Sequence, residues 1–167
     1  FLNWEDKTIG IIGAGNLGMA IVDALYSRGH QKLIATRRNE EELSKLKEKY
    51  SKIMVSNNNC LAVQESEIVI LGVKPKLLEE VATEIKASLS EQLVLSMAAG
   101  KHLEQINAYL NGYNKVARIM TGISTAEEIA FYCCDKGCTQ EDEQAIKYIF
   151  GKSAVKVEEN CLDGRTF

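Results

Sequence analysis

The feature that most restricts this chain is the run Gly13-Ala14-Gly15-Asn16-Leu17-Gly18, a G-x-G-x-x-G set between two different periodicities. Before it, Lys7-Thr8-Ile9-Gly10-Ile11-Ile12 is a short apolar run that reads as a buried strand. After it, Asn16 to Arg28 carries apolar residues at Leu17, Ala20, Ile21, Ala24 and Leu25, which is helical spacing, and Gly29 ends the pattern. The glycines alone carry little weight, since the chain holds twelve of them. Their place between a strand and a helix makes the pattern specific. In such a turn Gly13 permits the tight bend, Gly15 lets backbone approach a pyrophosphate, and Gly18 lets helix and strand pack closely. The N–H groups opening the helix then face the anion. The competing reading is a strand-helix turn that uses glycine for packing alone.

The alternation continues along the 167 residues. Further strands are predicted at Lys32 to Thr36, Ile53 to Val55, Glu67 to Val73, Gln92 to Met97, Lys115 to Met120, Ile129 to Cys133 and Ala154 to Val157. Between them, Asn39 caps a helix, with Glu42 completing a capping box and Leu43 and Leu46 pointing inward. Helices follow at Asn59 to Ser66, Leu77 to Leu89, Leu103 to Leu110 and Gln140 to Phe150. Strands without a polar face that alternate with helices predict a Rossmann-type α/β fold: a doubly wound, mainly parallel sheet with helices on both faces, in one domain.

Composition removes several function classes. Twenty Lys and Arg against 23 Asp and Glu give a formal net charge of -3, which leaves no basic footprint for nucleic acid. The longest apolar runs fall far short of the roughly 20 residues of a spanning helix, and Phe1 to Asp6 has no signal-peptide character. No membrane association is expected. The five cysteines, Cys60, Cys133, Cys134, Cys138 and Cys161, are an odd number in a domain able to build its own core. They read as reduced thiols and the compartment as cytoplasmic. Cys134 and Cys138 give only one pair at zinc-ligand spacing, so no metal is expected.

The end of the second strand indicates which dinucleotide would fit. An NAD site has Asp or Glu there to hold the ribose hydroxyls. Here the residues are Thr36-Arg37-Arg38-Asn39, with no acid before Glu40. Two guanidiniums suit a 2'-phosphate, which arginine binds in forked geometry, and Thr36 offers a hydroxyl. NADP is therefore expected over NAD. The alternative is that Arg37 and Arg38 are solvated charges beside Glu40-Glu41-Glu42.

Taken together, these segments resemble the pyrroline-5-carboxylate reductases, from about Lys7 to Asp163. Ile9 to Gly18 is similar to that family's first strand and turn, Val73-Lys74-Pro75 to its V-K-P, and Ser96-Met97-Ala98-Ala99-Gly100 to its S-x-A-A-G. Asn59 falls where the family has a cofactor-contacting Asn, and Glu158 to Asp163 resembles the acidic stretch before its second domain. The resemblance implies NADPH-dependent reduction of a small cyclic imine, 1-pyrroline-5-carboxylate, to proline. The implied cofactor-binding residues are Gly13, Ala14, Gly15, Asn16, Leu17, Gly18, Thr36, Arg37, Arg38, Asn59, Val73, Lys74, Pro75, Ala98 and Ala99. Lys74 is expected to bind only, and no residue is assigned as catalytic.

Two departures stand out. Met120-Thr121-Gly122-Ile123-Ser124 replaces the family's M-P-N-T-P or M-T-N-T-P, and the S-G-S-G-P-A-Y segment does not follow Asp163. Residues 1–163 are thus expected to be the nucleotide-binding domain. Residues 164–167 are expected to begin the connection to a helical domain, through which any homo-oligomer would form. The rival readings are a non-catalytic NADP-binding regulator and a related NADP-dependent reductase such as the F420-dependent type.

Overall fold

The computed structural model describes residues 3–121 and 129–163. Among these residues the order is β1 (Ile9–Ile12), α1 (Asn16–Ser27), β2 (Leu33–Thr36), α2 (Glu40–Lys49), β3 (Met54–Ser56), α3 (Asn59–Gln64), β4 (Ile68–Leu71), α4 (Pro75–Ile85), β5 (Leu93–Ser96), α5 (Leu103–Tyr109), β6 (Val116–Thr121), β7 (Ala130–Cys134), α6 (Gln140–Phe150), β8 (Val155–Lys156) and α7 (Glu159–Leu162). The strands form one sheet in the order β3-β2-β1-β4-β5-β6-β7-β8. Neighbours pair in parallel except β6 and β7, which are antiparallel. The predicted doubly wound sheet is the one observed. Its strand order reverses between β1 and β4, where open α/β sheets place their ligands.

Alternate residues of the central strands feed opposite cores. Ile9, Ile11, Ile68, Ile70, Leu93 and Leu95 pack with Ile21, Val22 and Leu25 of α1, Leu43 and Leu46 of α2, and Ile146 and Ile149 of α6. Ile12, Val69, Leu71 and Val94 pack with Leu78, Val81, Ala82 and Ile85 of α4, Val63 of α3 and Ile106 of α5. Helices on both faces explain why these strands read as unbroken apolar runs.

The helix starts follow their chemistry. Asn39 Oδ1 accepts from the N–H of Glu41 at 2.8 Å and of Glu42 at 3.3 Å, a cap worth about 1 kcal/mol. The expected capping box does not close: the Glu42 carboxylate pairs with Arg37 instead. The box forms at α6, where Thr139 Oγ1 accepts from Asp142 N and Asp142 Oδ2 accepts from Thr139 N. Helix α4 starts at Pro75, two residues before the predicted Leu77, because proline's missing N–H is no loss in a first turn. Four residues are too few to show periodicity, so α7 was not predicted. No helix among the described residues is long and apolar enough to cross a membrane.

His30 ties the far end of α1 to the chain's first segment and to α6. It is fully buried. Its Nε2 lies 2.9 Å from the Lys7 carbonyl and its Nδ1 2.7 Å from the Tyr148 hydroxyl. The carbonyl can only accept, so Nε2 carries the proton and Nδ1 accepts from Tyr148. Burial holds the imidazole below its ordinary value of 6.5, so on acidification the unfolded chain takes up the proton first. His30's contribution is complete above the ordinary histidine pKa and is lost as pH falls toward the depressed native value. Urea midpoints measured from pH 7.5 to pH 5.5 are expected to fall, and His30→Gln is expected to flatten that slope.

Candidate functional site

At the end of β1 the backbone turns through Gly13, whose φ of +71° is left-handed. A Cβ at Gly13 would stand 2.5 Å from Val73 Cγ1, so the loops after β1 and β4 touch where only a glycine fits. At Gly18 a Cβ would meet Ile11 Cγ2 at 3.0 Å, and the start of α1 lies against its own strand as expected. Thr36 fixes the bend from β2: its Oγ1 accepts from Gly13 N at 3.0 Å and its carbonyl from Ala14 N at 2.8 Å. The Gly15 N–H bonds to Gly13 O at 2.6 Å.

Those three N–H groups are therefore spent inside the turn. The open donors begin one residue later. Helix α1 has Gly15 at its N-cap and no side-chain cap. The N–H groups of Asn16, Leu17 and Gly18 thus have no intrahelical partner, and they stand at the positive end of the helix dipole. Gly15 itself has no protein atom closer than 3.9 Å to the Cβ it lacks.

Beside this turn is a cleft of about 580 Å³, lined in part by Gly13, Gly15, Arg37, Arg38, Asn59, Val73 and Lys74. Neither arginine is free. Arg37 Nη1 donates to the Ala14 carbonyl at 2.6 Å, and its Nη2 pairs with Glu42. Arg38 Nη2 pairs with Glu80 of α4 at 3.2 Å. Arg37 is anchored to the glycine turn, and Arg38 stands across the cleft mouth. Thr36 also lines the cleft; its Oγ1 accepts from the turn, which leaves the hydroxyl hydrogen to donate.

The other expected residues divide. Val73 packs against the bend, Lys74 stands at the N-cap position of α4 without a side-chain cap and Pro75 opens the helix, although Pro75 does not line the cleft. Asn59 is at the rim, where its amide donates to Glu84 Oε1 at 2.6 Å. Ala14 and Gly18 are buried behind the turn. Asn16 and Leu17 line a second, apolar groove of about 480 Å³ with Met97 and Thr121. Ala98 is buried and Ala99 exposed, and neither lines either cavity. Gly122, Ile123 and Ser124 of the altered loop lie outside the described residues, as do residues 164–167. The sequence reading missed Asn57 and Lys76, which line the cleft, and Glu42 as a partner of Arg37. Nothing short of packing could have found the first two; the spacing of Glu42 fitted a cap equally well. Among the described residues no three His, Cys, Asp or Glu side chains gather as a metal site.

Residues 8–100 match the family described as "NADP oxidoreductase coenzyme F420-dependent". The chain belongs to this family. Within it, the resemblance to pyrroline-5-carboxylate reductases holds across nearly the whole chain. The Methanosarcina acetivorans pyrroline-5-carboxylate reductase is 35% identical over 97% of this chain and 63% of its own length. The structure of a pyrroline-5-carboxylate reductase from Coxiella burnetii superposes with a TM-score of 0.84 at 23% identity, covering 93% of this chain and 61% of that one. The Plasmodium falciparum pyrroline carboxylate reductase, solved with NADP bound, gives 0.79 at 20% identity over 93% and 59%. At those identities the likeness is one of fold. The chain spans about three fifths of the length of the proteins it matches.

Two constraints meet at Gly13. Gly13→Ala combines a left-handed φ with a Cβ inside van der Waals contact of Val73. It is expected to lower stability by roughly 1–3 kcal/mol, read as a drop in the urea midpoint, whereas Gly29→Ala, also left-handed but with open space around it, tests the backbone term alone.

Proposed function

We propose that residues 1–163 are the nucleotide-binding domain of an NADPH-dependent reductase of the pyrroline-5-carboxylate type. In this reading a helical domain beyond residue 163 completes the substrate site and forms any homo-oligomer. The observation that carries it is one juxtaposition: uncapped N–H donors at the start of α1, an arginine tethered to the same turn, and no carboxylate at the end of β2 other than one already paired with that arginine.

The residues present fit an NADP. The open N–H groups of Asn16, Leu17 and Gly18 suit a pyrophosphate, and the absence of a side chain at Gly15 leaves room for it. Arg37 and Arg38 would take the 2'-phosphate. For that, Glu42 and Glu80 must yield. Both sit in partly exposed ion pairs worth about 0–1 kcal/mol each, and a phosphate monoester carries nearly two negative charges against the carboxylate's one, so the exchange favours the phosphate. Val73 to Pro75 and Ala98 to Ala99 close the carboxyl ends of β4 and β5, toward which the nicotinamide would extend. Met97 and Thr121 frame apolar ground there. When bound, the cofactor supplies the hydride; the chain's own part is to hold and orient it. The substrate in this reading is the cyclic imine, and the cytoplasm is the compartment.

Titration with NADPH and NADH tests the assignment. The chain is expected to prefer NADPH, and Arg37→Ala with Arg38→Ala to weaken NADPH binding about 10- to 100-fold with little change for NADH. Equal affinities, or a preference that survives both substitutions, would sink it. Glu42→Gln removes the competing carboxylate and is expected to tighten NADPH binding by up to about fivefold. Turnover of 1-pyrroline-5-carboxylate by the protein with its helical domain tests the substrate.

A further inference from the structure

Arg118, on β6, has no solvent exposure at all. Its guanidinium meets two carboxylates from the segment after β8. Nη1 and Nη2 form a fork onto Asp163, at 2.8 and 2.6 Å, and Nη1 also reaches Glu159 Oε2 at 3.1 Å. The same carboxylates accept backbone N–H groups from the loop after β5. Asp163 Oδ1 takes Gly100 N at 3.0 Å, and Glu159 Oε2 takes Leu103 N at 2.6 Å. His102 Nε2 stands 3.6 Å from Asp163 Oδ2. One buried cation thus fixes two carboxylates, and these fix both ends of the stretch Gly100 to Leu103. Gly100 is left-handed, with φ +73°, and Ser96 Oγ and Gln105 Oε1 hold the N–H groups of Ala98 and His102 on either side of it.

We propose that Arg118, Asp163 and Glu159 form an internal latch that positions the Ala98–Gly100 turn, making Arg118 and Asp163 positioning residues for the nicotinamide end of the cofactor. Arg118 acts on the turn through the carboxylates that it holds. The ion pair also holds the Asp163 carboxyl below its ordinary value, so the latch stays charged at neutral pH. This inference rests on the reading that the loop after β5 meets the nicotinamide.

The test separates the two halves of the cofactor. NADPH and adenosine 2',5'-bisphosphate, which lacks the nicotinamide, are titrated into the wild-type chain and Asp163→Asn, which keeps the shape and removes the charge. Asp163→Asn is expected to lose about tenfold in NADPH affinity, about 1.4 kcal/mol, while the bisphosphate is unaffected. Hydrogen exchange at the Gly100 N–H is expected to quicken. Arg118→Lys, which cannot bridge both oxygens of Asp163, should behave likewise; if it fails to fold, Asp163→Asn still decides. Equal weakening of both probes, or no weakening of NADPH, overturns the latch while leaving the nucleotide reading intact. A wild-type chain that binds neither probe overturns the nucleotide reading, and the latch's role falls with it.

Discussion

The structure depends on the close approach of two loops at the carboxyl ends of β1 and β4. Gly13 and Val73 meet there with no room for a side chain, and Thr36 clamps the bend from the neighbouring strand through both its hydroxyl and its carbonyl. β1 lies between β2 and β4, so this one bend draws on all three central strands. It also aims α1: with Gly18 pressed on Ile11, the helix can start only where its N–H groups face the crevice. Packing and ligand geometry are thus set by the same few atoms, and a substitution there cannot alter one without the other.

Most of the architecture was legible because two-sided burial writes a plain pattern. The runs Ile9–Ile12 and Ile68–Leu71 are apolar at every position apart from Gly10, and the helices between them carry the 3.6-residue period. Boundaries moved where local chemistry outweighed pattern: Pro75 starts a helix that hydrophobicity places at Leu77, and β4 ends at Leu71, with Gly72 N giving a last bond to Ile12 O at 3.1 Å before Val73 turns to the crevice. The short α7 was invisible for want of length. Its position comes from Arg118, a residue 41 positions away from Glu159, and no local reading of sequence contains that.

The site was legible in its residue types and not in its hydrogen bonds. Glycines and arginines at the right spacing identify the crevice, but not which N–H groups remain available. The first three are consumed by Thr36 and Gly13, which leaves those of Asn16, Leu17 and Gly18, at the helix start, as the open donors. Likewise, sequence adjacency made Arg37 and Arg38 look like twins. In the fold one is tethered to the Ala14 carbonyl, while the other, with 72% of its side chain exposed, leans on α4. A residue's neighbours along the chain say little about such differences, because the partners that set them, Ala14 and Glu80, are distant in sequence.

The pairing of Arg37 with Glu42 bears on how such a cleft can be stable without ligand and still selective for one. A guanidinium anchored at the turn and left bare would repel Arg38 and the open helix terminus, since all three are positive. Glu42 offsets that from within the first turn of α2, where its own charge is favoured by the helix dipole. A ribose hydroxyl brings no charge to replace it, so a dinucleotide without the extra phosphate would leave the carboxylate in place and gain little. A 2'-phosphate carries the charge needed to displace it. The selectivity therefore comes from the exchange of one anion for a stronger one, and it requires Glu42 to be held weakly, as a partly exposed ion pair is.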